Sequence, residues 1–193
     1  DIGIYEMLEY TYTEIDEPED WIVAESLMKH FVLSKSKINF SKIKIFLSDV
    51  DGVLTDAGMY YTETGDEIKK FCTYDGMGFQ LLQKTGVKVG ILTTEDRELN
   101  RRRARKLGLD FDFHGAMDKL QIVKDLCFKE NITLAEIAYI GDDVNCFELL
   151  SNVGISACPS NAIDKIKLIP NIIQLERNGG EGVVREFVEL FFS

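Results

Sequence analysis

The sequence has only two histidines, His30 and His114, which excludes a histidine-rich metal site and a mechanism needing two imidazoles. Its four cysteines, Cys72, Cys127, Cys146 and Cys158, form no CxxC pair and no secretory leader accompanies them, so they read as reduced thiols of a cytoplasmic protein. No apolar run approaches the roughly 20 residues of a membrane-spanning helix, and no membrane partner is expected. Positive charge is scarce: 22 Lys and Arg face 33 Asp and Glu, a formal net charge of −11. A nucleic-acid partner is not expected of such a chain, whereas a small anionic substrate remains open because a local site can oppose the global charge. There is no internal repeat and no low-complexity tract. The chain opens on Asp1 rather than Met and is expected to be part of something longer.

What is present is enough for one full domain with an appendage: 193 residues, 45% hydrophobic and 28% charged. Residues 1–40 differ from residues 41–193. The stretch "YTYTEIDEPEDWIVAESLMKHF" alternates like a strand from Tyr10 to Ile15 and turns at Pro18. Acids from Asp16 then lead a helical stripe of Ile22, Ala24, Leu27 and Phe31. Ser34 to Ser41 reads as a linker. From Ile43 the rhythm becomes regular. Strands are predicted at Ile43–Ser48, Val87–Thr93, Phe111–His114, Ile137–Ile140, Gly154–Ala157 and Ile172–Leu175. Helices are predicted between and after them, at Met77–Lys84, Glu95–Leu107, Lys119–Glu130, Cys146–Leu150, Ala162–Lys167 and Val183–Phe192. Strands apolar on both faces, alternating with helices, imply an α/β fold, a parallel sheet covered on both sides. A small hairpin, Tyr60–Thr62 with Glu67–Phe71 around Gly65, follows the first strand and belongs at its carboxyl end.

That carboxyl edge is where open α/β sheets bind ligands. The first strand ends in Asp49 and Asp51, whose like charges repel unless a cation lies between them or one holds a proton. Mg²⁺ prefers oxygen ligands and takes one or two carboxylates plus a substrate phosphate, and a carboxylate is also a nucleophile toward phosphorus. An Asp-rich turn that merely ends the strand is the plain alternative. The other strand ends then add Thr93-Thr94, Lys119 behind Asp118, and Asp142-Asp143, a set complementary to a phosphate. Between them "RRRARK", Arg101 to Lys106, is a solvated helical face partly balanced by Glu98, unless Glu95, Leu99, Arg103 and Lys106 share a face that looks into the crevice.

The segments "DVDGVLTD", "ILTTE", "DK" and "GDDVN", in this order and spacing, resemble the four motifs of the haloacid-dehalogenase-like phosphatases, over Ile43 to Phe192. The resemblance implies a Rossmann-like sheet and an aspartyl-phosphate on Asp49, with Asp51 as acid and then base. Thr93 would bond the phosphoryl oxygens and Lys119 would neutralise them. Mg²⁺ would be held by the Asp49 carboxylate, the Asp51 carbonyl and Asp142. Two positions depart: Thr94 stands where relatives often have Gly, and Cys146 where many carry a further acid, a gap that the Asp142-Asp143 pair would cover, with Asp143 behind the direct metal ligands. The small hairpin, the lack of a large cap, "GMYYTETGDEIKKFCTYDGMGFQLL" and "RNGGEGVVREFVELF" resemble the tetrameric phosphatases of 2-keto-3-deoxy sugar acids, in which a neighbouring subunit covers each site. There Gly179–Gly182, with Arg185 or Glu186, would lie near a neighbour's site. Thr73, Asp75, Thr94, Glu95, Arg103, Lys106 and Asn145 would meet the sugar acid. "TTEDRELNRRRARKL" resembles the phosphatases of nine-carbon sugar-acid 9-phosphates, of the nononate or N-acylneuraminate type, with the eight-carbon 3-deoxy-octulosonate 8-phosphate phosphatases as the rival resemblance. "YTYTEIDEPEDWIVAE" resembles the end of an acylneuraminate cytidylyltransferase, which implies a bifunctional protein and makes Asp16 and Glu14 remnants of a transferase metal site. A non-catalytic assembly module is the competing class. Phosphoryl transfer to another sugar would require a larger cap.

Overall fold

A computed structural model of the chain describes residues 15–28 and 39–192. It divides into two compact units, residues 1–39 and 40–193. In the first, helix α1 spans Pro18–Leu27. Proline at its first turn has no N–H to leave unsatisfied, and Asp20 Oδ2 reaches back to accept the backbone N–H groups of Glu17 at 3.0 Å and Asp16 at 3.2 Å. The expected strand from Tyr10, Glu14, Phe31 and most of the linker lie outside the described residues.

The second unit holds a six-stranded, all-parallel sheet. Its strands are β1 (Ile45–Ser48), β4 (Lys88–Leu92), β5 (Phe111–Phe113), β6 (Ile137–Ile140), β7 (Ile155–Cys158) and β8 (Ile173–Gln174), in the order β5-β4-β1-β6-β7-β8. The chain leaves β1 toward β4 and β5 on one side, then crosses to build β6 to β8 on the other. The crevice at the carboxyl end of β1 is therefore the switch point of the topology. The expected hairpin forms as β2 (Tyr60–Tyr61) against β3 (Glu67–Ile68), turning at Gly65 with φ +88°.

Alternation along β1 sends Phe46 to one face and Ile45 and Leu47 to the other. Phe46 meets Phe79 of helix α2 (Thr73–Gln83) and Phe187 of helix α7 (Val183–Glu189), with ring centroids 5.6 and 5.3 Å away. The opposite layer packs Leu92, Ile137, Tyr139 and Leu149 with Val123 of helix α4 (Lys119–Glu130).

The element boundaries differ from the sequence reading in instructive places. Helix α2 starts at Thr73, four residues before Met77, because its glycines serve packing: a Cβ on Gly78 would stand 3.2 Å from Arg185 Cα of α7. Helix α3 is Glu98–Leu107, not Glu95–Leu107; Arg97 is extended at φ −126°, so Glu95 lies in the loop after β4. Glu98 pairs directly with Arg105 and feels Arg101 and Arg102 through charge, while Arg101 pairs with Asp96. Helix α5 (Phe147–Leu150) follows a 3-10 turn at Val144–Cys146; helix α6 (Asp164–Lys167) completes the set. Among the described residues no helix is long and apolar enough to cross a membrane.

Candidate active site

Asp49 is the first residue past β1 and is only 3% exposed. Its backbone N–H continues the ladder to Ile140 O at 2.9 Å. Its side chain is held at both ends: Oδ1 accepts the Val50 N–H at 2.7 Å, and Oδ2 accepts Lys119 Nζ at 2.6 Å and Cys146 Sγ at 2.9 Å. Lys119 is fixed in turn. It begins α4 behind Asp118, whose side chain caps the Gln121 N–H, and it also donates to Tyr139 Oη at 3.1 Å and Cys146 Sγ at 3.3 Å. Burial pulls the Lys119 ammonium down, but Asp49 and Cys146 outweigh it and hold it above the ordinary lysine range. Burial, with Asp49 adding to it, pushes the Cys146 thiol up to about 12, so it stays a thiol and donates. Cys146 thus occupies the place expected for an acid and braces Asp49 and Lys119 itself. Asp143 lines the cleft beside Asp142 and accepts the Val144 N–H at 2.6 Å through one oxygen.

A cleft of about 210 Å³ opens beyond Asp49, lined by Asp51, Thr93, Thr94, Glu95, Asp142, Asp143 and Asn145 as well as Ala57. Parallel register sets this convergence: Ser48 pairs with Ile91 and with Ile140, so the residues beyond all three strands emerge together. Thr93 is buried, and its hydroxyl accepts the Glu95 N–H at 3.2 Å. Asn145 crosses to Thr94 Oγ1 at 3.1 Å.

Burial raises the Asp51 carboxyl above the usual range; Lys69 opposes that rise while Glu95 and Asp49 reinforce it. A raised carboxyl suits a group that must carry a proton before giving it away. Burial, then Asp49 and Asp143, push Asp142 to about 7. This stored repulsion is what a divalent cation relieves. Asp49, Asp142 and Cys146 offer ligand atoms within 4.8 Å of one another. The thiol, however, faces the Lys119 ammonium, so the hard oxygen donors of Asp49 and Asp142 are the ones that fit a cation. Gly52 leaves the room: at φ +83°, a Cβ there would stand 1.8 Å from Asp142 Oδ2.

Four expected substrate residues do not line this cleft. Thr73 is exposed at the start of α2, and Lys106 is exposed on α3. Arg103 donates to Cys72 O at 2.9 Å and lies over the Phe71 ring at 5.3 Å. Asp75 is buried, its carboxyl pushed to about 6 by burial, and accepts the Arg185 N–H at 3.1 Å, joining α2 to α7. The glycine-rich loop packs against its own chain: Gly180 N–H bonds Val53 O at 2.9 Å, and a Cβ on Gly179 would strike Gly52 O. Glu186 anchors this loop by accepting the Glu176 and Arg177 N–H groups at 2.7 and 2.9 Å, whereas Arg185 pairs with Glu189.

Sequence reading missed Lys69, which follows β3. Its ammonium is enclosed, 2.6 Å from Asp51 Oδ1, 2.5 Å from Glu95 Oε2 and 3.7 Å from Glu67 Oε1. The one signal was the alternation of Glu67, Lys69 and Phe71 on one side of a strand, with Lys70 facing solvent.

Residues 113–187 match the haloacid dehalogenase-like hydrolase family. The chain is also 33% identical over 151 residues to the 3-deoxy-D-manno-octulosonate 8-phosphate phosphatase KdsC of Haemophilus influenzae, covering 78% of this chain and 83% of that one. The chain belongs to the haloacid dehalogenase-like hydrolases. Among solved structures of such hydrolases, the 3-deoxy-D-manno-octulosonate 8-phosphate phosphatase from Moraxella catarrhalis, in complex with magnesium, phosphate and KDO, superposes with TM-score 0.78 at 32% identity. That match covers 82% of this hydrolase and 91% of its relative. N-acylneuraminate cytidylyltransferase B of Danio rerio is 29% identical along all of this chain, which spans 46% of that protein.

Proposed function

We propose that this hydrolase is a Mg²⁺-dependent phosphomonoesterase of 2-keto-3-deoxy sugar-acid phosphates, with an eight-carbon 3-deoxy-octulosonate 8-phosphate as its substrate. The observation that carries the chemistry is Asp49, held between Lys119 and the cleft with Asp51 beside it. The eight-carbon substrate rests on the KdsC-type relatives and replaces the nine-carbon preference drawn from the sequence.

Asp49 attacks phosphorus, forming an aspartyl-phosphate as the ester P–O bond breaks, and Asp51 gives its proton to the departing alkoxide. Asp51 then takes a proton from water, which attacks phosphorus and returns Asp49 as a carboxylate with release of phosphate. Lys119 balances the charge gathering on the phosphoryl oxygens, and Thr93 offers them its hydroxyl. Mg²⁺, held by Asp49, Asp142 and the Asp51 carbonyl, supplies further charge neutralisation when bound.

One observation favours a nine-carbon substrate. The likeness to the Danio rerio cytidylyltransferase runs through residues 1–40 as well as the hydrolase unit. On that reading the protein joins dephosphorylation to nucleotide activation of a sialic acid. In either case an assembly of four subunits, each covering a neighbour's cleft, fits the small flap.

The test is phosphate release with Mg²⁺ from octulosonate 8-phosphate, nononate 9-phosphate and N-acetylneuraminate 9-phosphate. A tenfold preference, about 1.4 kcal/mol in the transition state, decides between chain lengths. Asp49→Asn is expected to abolish turnover with circular dichroism unchanged; retained turnover overturns the reading.

A further inference from the structure

Lys69 is an unusual residue to find where it is. Only four charged residues are buried among those described, Asp49, Lys69, Asp75 and Lys119, and the Lys69 side chain has no exposed surface at all. An enclosed ammonium is costly unless carboxylates surround it, and a two-stranded hairpin has no structural need of one. Its neighbour Lys70 shows the ordinary arrangement, 62% exposed with a distant partner in Asp56. The partners of Lys69 come from separate parts of the chain: Asp51 from the loop after β1, Glu95 from the loop after β4, and Glu67 from the flap itself. One ammonium thus fastens the flap to two strand ends.

Its effect on Asp51 is specific. Oδ1 is taken by Lys69 at 2.6 Å and by Thr55 Oγ1 at 3.4 Å. Oδ2 is buried and has no partner among the described residues. The carboxyl group is thus held through Oδ1 and cannot rotate freely.

We propose that Lys69 is a positioning residue: docked from the flap, it fixes the Asp51 carboxyl at the edge of the cleft for proton exchange with the leaving oxygen, while holding Glu95 there as well. This rests on the phosphatase reading above. It makes flap closure and readiness of the acid one event, because the same ammonium performs both.

The leaving group supplies a test that a merely structural role would not meet. An alkyl phosphate needs its departing oxygen protonated; p-nitrophenyl phosphate, whose phenolate leaves readily, scarcely does. In Lys69→Met, single-turnover release of the alcohol from octulosonate 8-phosphate should fall on the order of 100-fold, the scale of general acid catalysis. Release of p-nitrophenol should fall less than about tenfold on the same scale. Amide exchange at residues 61–67 should quicken, with that of β1 and α2 unchanged. Equal losses on the two substrates, or no loss on the alkyl phosphate, overturn the assignment of Lys69 and leave the phosphatase standing. Slow flap exchange in the variant overturns the clamp. If the unaltered protein releases no alcohol from either substrate, the phosphatase reading itself fails and takes this inference with it.

Discussion

Magnesium affinity should depend steeply on pH, and Asp142 sets how steeply. Without metal, this carboxyl is pushed to about 7 from an ordinary 3.8 by burial and by Asp49 and Asp143. Ligation needs the carboxylate, so a proton competes with the cation. At pH 5.5 only about 3% of Asp142 is ionised on that titration, and at pH 8 about 90%, so the apparent affinity should weaken about 30-fold between them. The sign for stability follows from the same shift. A carboxyl whose folded value is raised binds more protons in the folded state, so the metal-free protein loses stability as pH climbs from about 4 to about 7. The loss is at most about 4 kcal/mol. Magnesium restores it, so the rise in melting temperature on adding Mg²⁺ should be larger at pH 8 than at pH 5.5. Calorimetric titration at the two pH values, with melting curves alongside, measures both effects. Equal affinity at the two pH values would refute the reasoning, as would an unchanged pH dependence in Asp142→Asn.

Two further substitutions probe the same centre. Lys119→Met leaves Asp49 enclosed without its cation and should cost about 3–5 kcal/mol in urea unfolding. Because pairing holds the Lys119 ammonium above its ordinary range, the gap between the two proteins should stay level at neutral pH and narrow only above about pH 10.4, where the unfolded lysine deprotonates. An unchanged unfolding midpoint would contradict this. Gly52→Ala places a methyl on Asp142 Oδ2 at a positive φ. It should cost about 1 kcal/mol in backbone strain and weaken Mg²⁺ binding at least about tenfold, read by the same titration; wild-type affinity would show that the loop yields.

What could be read in advance was whatever the strand period carries. Asp49, Thr93 and Asp142 each stand just past an apolar run, and parallel pairing turns that shared position into proximity. Lys119 was legible because Asp118 marks a helix start. The contacts of Arg103 and Asp75 were not legible because type and spacing do not say which partner a side chain will find. Arg103 found a backbone carbonyl and an aromatic ring, and Asp75 found the amide of Arg185, 110 residues away. Lys69 was missed for the same reason in reverse. A lysine in a short strand reads as surface until the two acids that enclose it are folded over it. The start of α2 was hidden by Gly76 and Gly78, poor helix formers that are present because α3 and α7 come close.

The loop at Gly179 and Gly180 leans directly on the backbone of the Asp49–Asp56 segment, and α7 covers Phe46 behind it. During translation, therefore, Asp49 and Asp51 are among the first groups of this unit to leave the ribosome, yet the wall that supports their loop is made about 130 residues later. A nascent chain cut short before Gly179 carries Asp49, Asp51, Thr93, Lys119 and Asp142 but lacks the wall made by Gly179, Gly180 and α7.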